Sequence, residues 1–256
     1  TPPGIKRSTW ALVRKDVRTF WREPAQWVQF LIVFGLLFIY ILNLRNMGYE
    51  YDSPFWSTVV TLLNLGVCSL ALSTLTTRFI FPQFSLEGRR LWILGLAPFG
   101  LEKVLLQKFV LCCLATASLT VSLMVVSSVM LNLSVADVIL YACVIATMTV
   151  GLTALAIGLG TLFPNFRETN PAKIVSGFGG TLCLIVSFVY IVMCIGILSL
   201  PAGVRLSEEG ALFGRNYAAT LTVAIVGIGL ITLVLAALPL IFAIRRVKRL
   251  ENLGKL

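Results

Sequence analysis

The chain has 256 residues, of which 58% are hydrophobic and 12% are charged, and its mean hydropathy is +0.93. So few polar residues cannot cover the surface of a water-soluble globule of this length, which excludes an ordinary soluble domain and indicates a protein of the lipid bilayer. The net charge is +10. Because the basic residues border long apolar runs, this charge indicates a membrane face and not a nucleic-acid partner.

Histidine and cysteine usage narrows the possible chemistry. The chain contains no histidine, which excludes histidine-dependent catalytic triads, most catalytic zinc sites and histidine proton relays. All six cysteines fall inside apolar runs, without the spacing of a disulfide framework or a zinc site. We interpret them as packing residues, and we predict no catalytic residue and no metal site.

The first predicted element is an amphipathic helix over residues 8–23. Its two faces are apolar and basic, with Trp10, Val13, Val17, Phe20 and Trp21 on one side and Arg14, Lys15, Arg18 and Arg22 on the other. Such a helix can lie in the membrane interface with its cations toward anionic headgroups. The alternative is a water-exposed helix of the kind found in soluble proteins.

Six apolar runs follow, each bordered by charged or Pro/Gly-rich segments. A spanning helix needs about 20 apolar residues. The predicted spans are residues 25–44, 55–77, 106–131, 137–163, 174–199 and 218–244. We therefore predict an all-α membrane protein, a single transmembrane domain over residues 1–256, with six transmembrane helices after the interfacial helix.

The distribution of Lys and Arg predicts the orientation. If both chain ends and the segments 78–108 and 164–173 share one compartment, that side holds 18 basic residues and the other holds three. The side rich in Lys and Arg is normally cytoplasmic. Both termini are thus predicted to be cytoplasmic, in agreement with an even number of crossings.

None of the predicted spans carries a charge near its middle. An ion-coupled transporter usually keeps a charged group there, at a cost of about 2.5–3.5 kcal/mol, to bind its ion. Its absence favours an energy source outside the helices. A secondary transporter or channel is the alternative. An intramembrane enzyme would need a nucleophile and a base within the spans, which hold no such pair.

Three segments hold candidate functional residues. Asn64, in the middle of the second span, is predicted to hydrogen-bond a neighbouring helix or to line a substrate path. The cytoplasmic connection 82–103 reads as a short surface element that docks on a soluble partner or anchors to lipid. In the connection after the fourth span, Arg167 and Glu168 form a second partner contact or a weak surface ion pair.

Three stretches carry a resemblance to a known family. The stretch 81–98, FPQFSLEGRRLWILGLAP, resembles the first cytoplasmic loop of type-2 ATP-binding-cassette (ABC) exporter permeases, in particular a large bacterial exporter subfamily. The stretches 15–27 and 163–181 resemble the same subfamily. The resemblance implies the type-2 exporter permease architecture, and it implies that the chain is the C-terminal six-helix half of a longer permease.

The resemblance also implies a function. The chain would be the permease subunit of an exporter in the inner membrane of a bacterium, and not itself an enzyme. Its partners would be cassette ATPase subunits, a second six-helix half on the same or a fused chain, and membrane lipid, but no nucleic acid. The residues implied to couple to the ATPase are Glu87, Gly88, Arg89, Arg90 and Trp92, with Arg167 and Glu168 as a second contact.

The absence of a common nucleotide-binding motif supports the same expectation. The sequence has no phosphate-cradling Gly-x-x-x-x-Gly-Lys-Ser/Thr loop. The pair Gly254-Lys255 is followed by Leu256, and Arg249 occupies the position of the upstream glycine. We therefore expect no cofactor on this chain, with ATP and Mg bound by a partner subunit.

Overall fold

The computed structural model of the chain describes residues 14, 28, 31–32, 35–40, 42–43, 54–88, 100–168, 170–206 and 210–252. Within these residues every regular element is a helix. The predicted all-α class is therefore confirmed for this part of the chain. The predicted interfacial helix 8–23 lies outside the described residues except for Arg14. Nine of the twenty residues of the predicted first span 25–44 also lie outside them, and the other eleven are helical.

Long helices dominate the described structure. In chain order the elements are α1 (Pro54–Leu75), a π-helical turn (Thr76–Ile80), α2 (Gln83–Glu87), α3 (Gly100–Met130), α4 (Val135–Leu162), α5 (Pro171–Val175), α6 (Phe178–Leu206) and α7 (Gly210–Asn252). Five helical stretches are long and apolar enough to cross a membrane: Phe55–Glu87, Glu102–Met130, Val135–Leu162, Phe178–Leu206 and Tyr217–Arg249. A sixth span is not found among the described residues.

Several helices extend beyond the predicted spans. The segment predicted as the connection 82–103 contains α2 and the first turn of α3, while residues 89–99 lie outside the described part. Helix α6 continues through Pro201 to Leu206, and α7 continues to Asn252. The prediction ended each span where charges or proline begin, but a helix leaving the hydrocarbon layer keeps its backbone hydrogen bonds and can continue into the headgroup region.

The two ends of the helix bundle differ in charge. We call one end the basic end, because nine Lys and Arg of the described residues lie there: Arg78, Lys103, Lys108, Arg167, Lys173, Arg245, Arg246, Lys248 and Arg249. We call the opposite end, where α4 begins and α6 ends, the Asp137 end. It carries Arg205 and Arg215. The five long helices alternate in direction between these ends.

Helix α4 lies at the centre of the bundle and contacts α1, α3, α6 and α7. Its second half, residues 151–161, is buried throughout. Two glycines let neighbours approach its backbone: Gly158 lies against Pro239 of α7, and Gly160 lies against the carbonyl group of Phe81. Close approach of this kind replaces the hydrophobic driving force that is missing between helices in lipid.

Buried hydroxyl and amide groups connect the helices. Thr116 and Thr120 of α3 face Thr153 and Thr149 of α4, with oxygen–oxygen distances of 3.4 and 3.3 Å. Helices α6 and α7 are joined by the hydroxyls of Tyr190 and Thr232, which lie 2.6 Å apart. Hydrogen bonds between membrane helices contribute on average about 0.6 kcal/mol each. Their combined effect is to fix which helices are neighbours.

Candidate functional site

The chain reverses direction at the basic end through the π-helical turn and α2. Phe81 follows the π-helical turn and is 1% exposed. Its backbone lies on Gly160 and its ring reaches Gly179, so that a side chain at either glycine would collide with it. Pro82 then caps α2 without a side-chain hydrogen bond. Phe81 thereby anchors this turn to α4 and α6.

The segment that follows α4 packs directly on α2. The Ser85 hydroxyl accepts a hydrogen bond from the backbone N–H of Asn165 at 3.1 Å. The rings of Phe84 and Phe166 lie 6.3 Å apart, and Gly88 leaves room for the Phe166 ring, which a Cβ atom at this position would overlap. The two connections, predicted as separate contacts, thus form one unit. We call residues 81–88 and 163–168 together the loop pair.

An ion pair fixes the end of α2 to α3. The ammonium group of Lys108 lies 3.0 Å from the carboxylate of Glu87, and both side chains are only 12% exposed. A pair so shielded from water is screened little by salt. Glu87, predicted to face a partner, therefore also holds the loop pair on the bundle.

Helix α7 is attached to the same end by polar contacts. Lys248 lies 3.0 Å from Glu102 of α3, and the Arg246 guanidinium donates a hydrogen bond to the carbonyl oxygen of Leu162. The Leu162 carbonyl belongs to the last turn of α4, where helical carbonyls lack partners within the helix. At the basic end α7 is therefore joined to both α3 and α4.

The predicted site residues fall in different places. Glu87 and Gly88 lie in the loop pair. Arg167 is exposed, and Glu168 pairs with Lys173 at 3.9 Å and not with Arg167. The other three, Arg89, Arg90 and Trp92, lie outside the described residues.

Sequence reasoning missed the contribution of Lys108 and Phe166. No functional role was predicted for Lys108, and Phe166 was noted only within the stretch 163–181 that carries the resemblance. A lysine just inside an apolar run could have suggested a carboxylate partner, since a buried charge needs one. Nothing in the sequence indicates that the partner is Glu87, or that Phe166 lies over Gly88.

Asn64 is fully buried between α1 and α3. Its side-chain amide donates to the hydroxyl of Ser127 at 2.9 Å, and its carbonyl oxygen accepts from the Tyr40 hydroxyl at 3.3 Å. Its relative exposure is 0%. These contacts are those of a residue that joins helices, one of the two predicted roles.

The exterior of the bundle is apolar, and its largely apolar interior also holds polar side chains. Large apolar side chains on the long helices face outward; Val223, for example, is 70% exposed and Leu114 is 66% exposed. Asn64, Ser69, Ser127, Thr149 and Thr153 are completely buried. A water-soluble protein rarely exposes so many large apolar side chains, whereas lipid is a favourable environment for an apolar exterior. With five helices of spanning length, the chain falls in the class of helical membrane proteins.

Comparison with known proteins identifies the family. Residues 3–252 match the model of a family described as "Putative ATP-binding cassette", and the chain belongs to this family. No curated protein and no solved structure matches the chain.

The family description overturns several predictions. It is that of an ATP-binding cassette, so the predicted membership of the type-2 ABC exporter permeases is wrong. The finding also contradicts a permease subunit driven by ATP hydrolysed elsewhere, a chain without ATPase activity, and a chain without ATP and Mg of its own. The three stretches behind the resemblance report helix topology and loops, which do not determine nucleotide chemistry.

ATP is the ligand that the family description implies, and the described residues do not fit the phosphate loop that usually binds it. That loop joins a strand to a helix and requires Gly-x-x-x-x-Gly-Lys-Ser/Thr. The sequence does not contain this pattern, and residues 54–88, 100–168, 170–206 and 210–252 contain no strand. We therefore derive no step of a mechanism through ATP.

Proposed function

We propose that the chain is a membrane-embedded component of an ABC transport system, with its basic end in the cytoplasm of a bacterium. The observation that carries the proposal is the set of five apolar spanning helices in a chain of the ATP-binding-cassette family. The charge difference between the two ends supports the orientation, because Lys and Arg concentrate on the cytoplasmic side of membrane proteins.

We further propose that the loop pair is the surface on which other members of the complex dock, namely cassette subunits and a second helical half. The support for this proposal is the way in which the loop pair is attached to the helices. The contacts Ser85–Asn165 and Phe84–Phe166 hold its two halves together. Glu87–Lys108 ties it to α3, and Phe81 packs against Gly160 of α4. A displacement of this unit by a partner would therefore move helices and not only a loop. Arg167 is exposed on it and offers a cation to an acidic partner surface.

Membrane location and nucleotide binding can be tested on the same preparation. We expect the chain to stay in the membrane pellet after alkaline carbonate extraction, because exposing its apolar exterior to water is unfavourable. Release into the supernatant would contradict the proposal.

Photolabelling of the purified chain with azido-ATP tests the implication of the family description. Labelling that Mg-ATP competes away would locate a nucleotide site on this chain, and its absence would show that the chain alone binds none.

The docking surface is tested by charge reversal. We expect Arg167→Glu to lower the amount of cassette subunit that co-purifies with the chain by about tenfold, as expected when an attractive charge pair becomes repulsive. Arg245→Glu is the matched control, because Arg245 is also exposed at the basic end but lies on α7. Equal losses in both variants would indicate a general charge effect and would remove the loop pair as the docking surface.

A further inference from the structure

The Asp137 end contains a cavity that the proposed function does not use. Its volume is about 350 Å³, within the range of about 300–1,000 Å³ that is typical of small-ligand sites. The starts of α1 and α4, the turn before α4, and the ends of α6 and α7 that lie at this end form its walls. The cavity is therefore built mainly from four of the long helices.

Polar and apolar side chains both line the cavity, and along α6 and α7 the apolar residues Leu198, Pro201, Ala202 and Leu221 lie deeper in the bundle than Arg205 and Tyr217. The polar part holds an ion pair between Asp137 and Arg205 together with the hydroxyl groups of Ser57, Thr61, Tyr141 and Tyr217. The apolar part is formed mainly by Leu140, Leu198, Pro201, Ala202 and Leu221. A cavity with both kinds of lining, and with apolar residues deeper along α6 and α7 than Arg205, suits an amphiphile, with a polar head at the ion pair and a hydrocarbon segment against the leucines.

The hydrogen bonds around the ion pair indicate the kind of head group. The Asp137 carboxylate accepts from the Ser134 hydroxyl at 2.8 Å and from Nη1 of Arg205 at 3.2 and 3.3 Å. The Arg205 side chain is 60% exposed, and its Nε and Nη2 groups have no hydrogen-bond partner among the described residues. The hydrogen-bonding groups that remain available at the ion pair are thus donors on a cation. Arginine offers these donors in the fork that phosphate oxygens accept.

The depth of the ion pair in the bilayer fits a lipid. Helix α4 has 28 residues and is about 42 Å long, whereas the hydrocarbon layer is about 30 Å thick. About 6 Å, or four residues, therefore extends beyond the hydrocarbon at each end. Asp137 is the third residue of α4, and Arg205 is the last but one of α6. Both lie at the level of the headgroups, and the apolar wall lies toward the acyl chains.

We propose that this cavity binds one membrane phospholipid, with its phosphate on Arg205 and the upper part of an acyl chain against Leu198 and Leu221. The proposal goes beyond membership of a transport system, and it rests only on the chain being embedded in a bilayer. A site of this kind would hold a lipid between α1, α4, α6 and α7 at the Asp137 end.

Native mass spectrometry of the purified full chain in detergent tests the proposal by titration with three probes. We expect dimyristoyl phosphatidylglycerol to bind as a single tight equivalent, and dimyristoylglycerol, which has the same chains without the phosphate, to bind at least about tenfold more weakly. Inorganic phosphate alone should bind weakly as well, because it does not fill the apolar part. Comparable binding of either comparator would overturn the assignment of an amphiphile with a phosphate head.

Two kinds of variant locate the site. Arg205→Gln should weaken the binding of phosphatidylglycerol by about tenfold, and Arg205→Lys should weaken it less because the charge remains. Ala202→Phe fills the apolar part without changing the ion pair and should give a similar loss. Gly203→Phe is its matched control, since Gly203 has open space around the position of a Cβ atom. Unchanged affinity in both Arg205→Gln and Ala202→Phe, or an equal loss in Gly203→Phe, would refute the site.

Discussion

Gly158→Val is expected to lower the stability of the bundle by about 3 kcal/mol, the upper end of the usual range for overpacked interiors. Gly158 of α4 faces Pro239 of α7, and a Cβ atom there would overlap the ring and the backbone of Pro239. A flexible side chain could rotate away, but a proline within a helix cannot. The substitution therefore forces α7 away from α4, the central helix. Helix α7 also contacts α4 at Gly151.

Thermal unfolding in detergent, followed with a thiol-reactive dye, measures this effect. Cys68, Cys112, Cys183 and Cys194 are buried in the folded chain and become reactive when it opens. The control is Gly196→Val on α6, because no heavy atom lies within 4 Å of the position of its Cβ atom. Similar unfolding temperatures for the two variants would mean that α4 and α7 do not approach each other at Gly158.

Glu87→Gln should also lower the free energy of unfolding by about 3 kcal/mol. Removing one member of a shielded ion pair leaves the other charge in a poorly solvated place, at a typical cost of about 3–5 kcal/mol. We expect the lower value, because the Glu87 and Lys108 side chains are each still 12% exposed. The loss should change little between low and high salt, since a shielded pair is weakly screened.

The chain contains a matched control for this ion pair. Glu102 and Lys248 are also 3.0 Å apart at the basic end, but their side chains are 38% and 55% exposed. Glu102→Gln should therefore lower the stability by less than about 1 kcal/mol. The double exchange of Glu87→Lys with Lys108→Glu should recover part of the stability. Equal losses for Glu87→Gln and Glu102→Gln would contradict the shielding of the Glu87–Lys108 pair.

The spanning helices could be predicted because membrane crossing depends on local properties. A run of about 20 apolar residues must become helical in lipid, since no water satisfies its backbone groups. Five such runs are helices of spanning length. The ends were less predictable: Pro201 and the basic residues from Arg245 onward border the apolar runs, yet α6 and α7 continue through them.

The nucleotide chemistry of the family could not be predicted from these sequence patterns. The stretches 81–98 and 163–181 suggested a permease, whereas the matched family is described as an ATP-binding cassette. Apolar periodicity and loop composition report where a chain lies relative to lipid. They carry no information on nucleotide binding, which depends on a few residues in a defined geometry.

The sequence by itself determined that this protein lies in lipid and which segments form its long helices, because both follow from the hydrophobicity of neighbouring residues. Only the tertiary structure decided that Asn165 meets Ser85, that Glu87 meets Lys108, and that Asp137 meets Arg205 across 68 positions of the chain. Such pairs depend on how helices pack side by side. The loop pair and the cavity at the Asp137 end are both made of them.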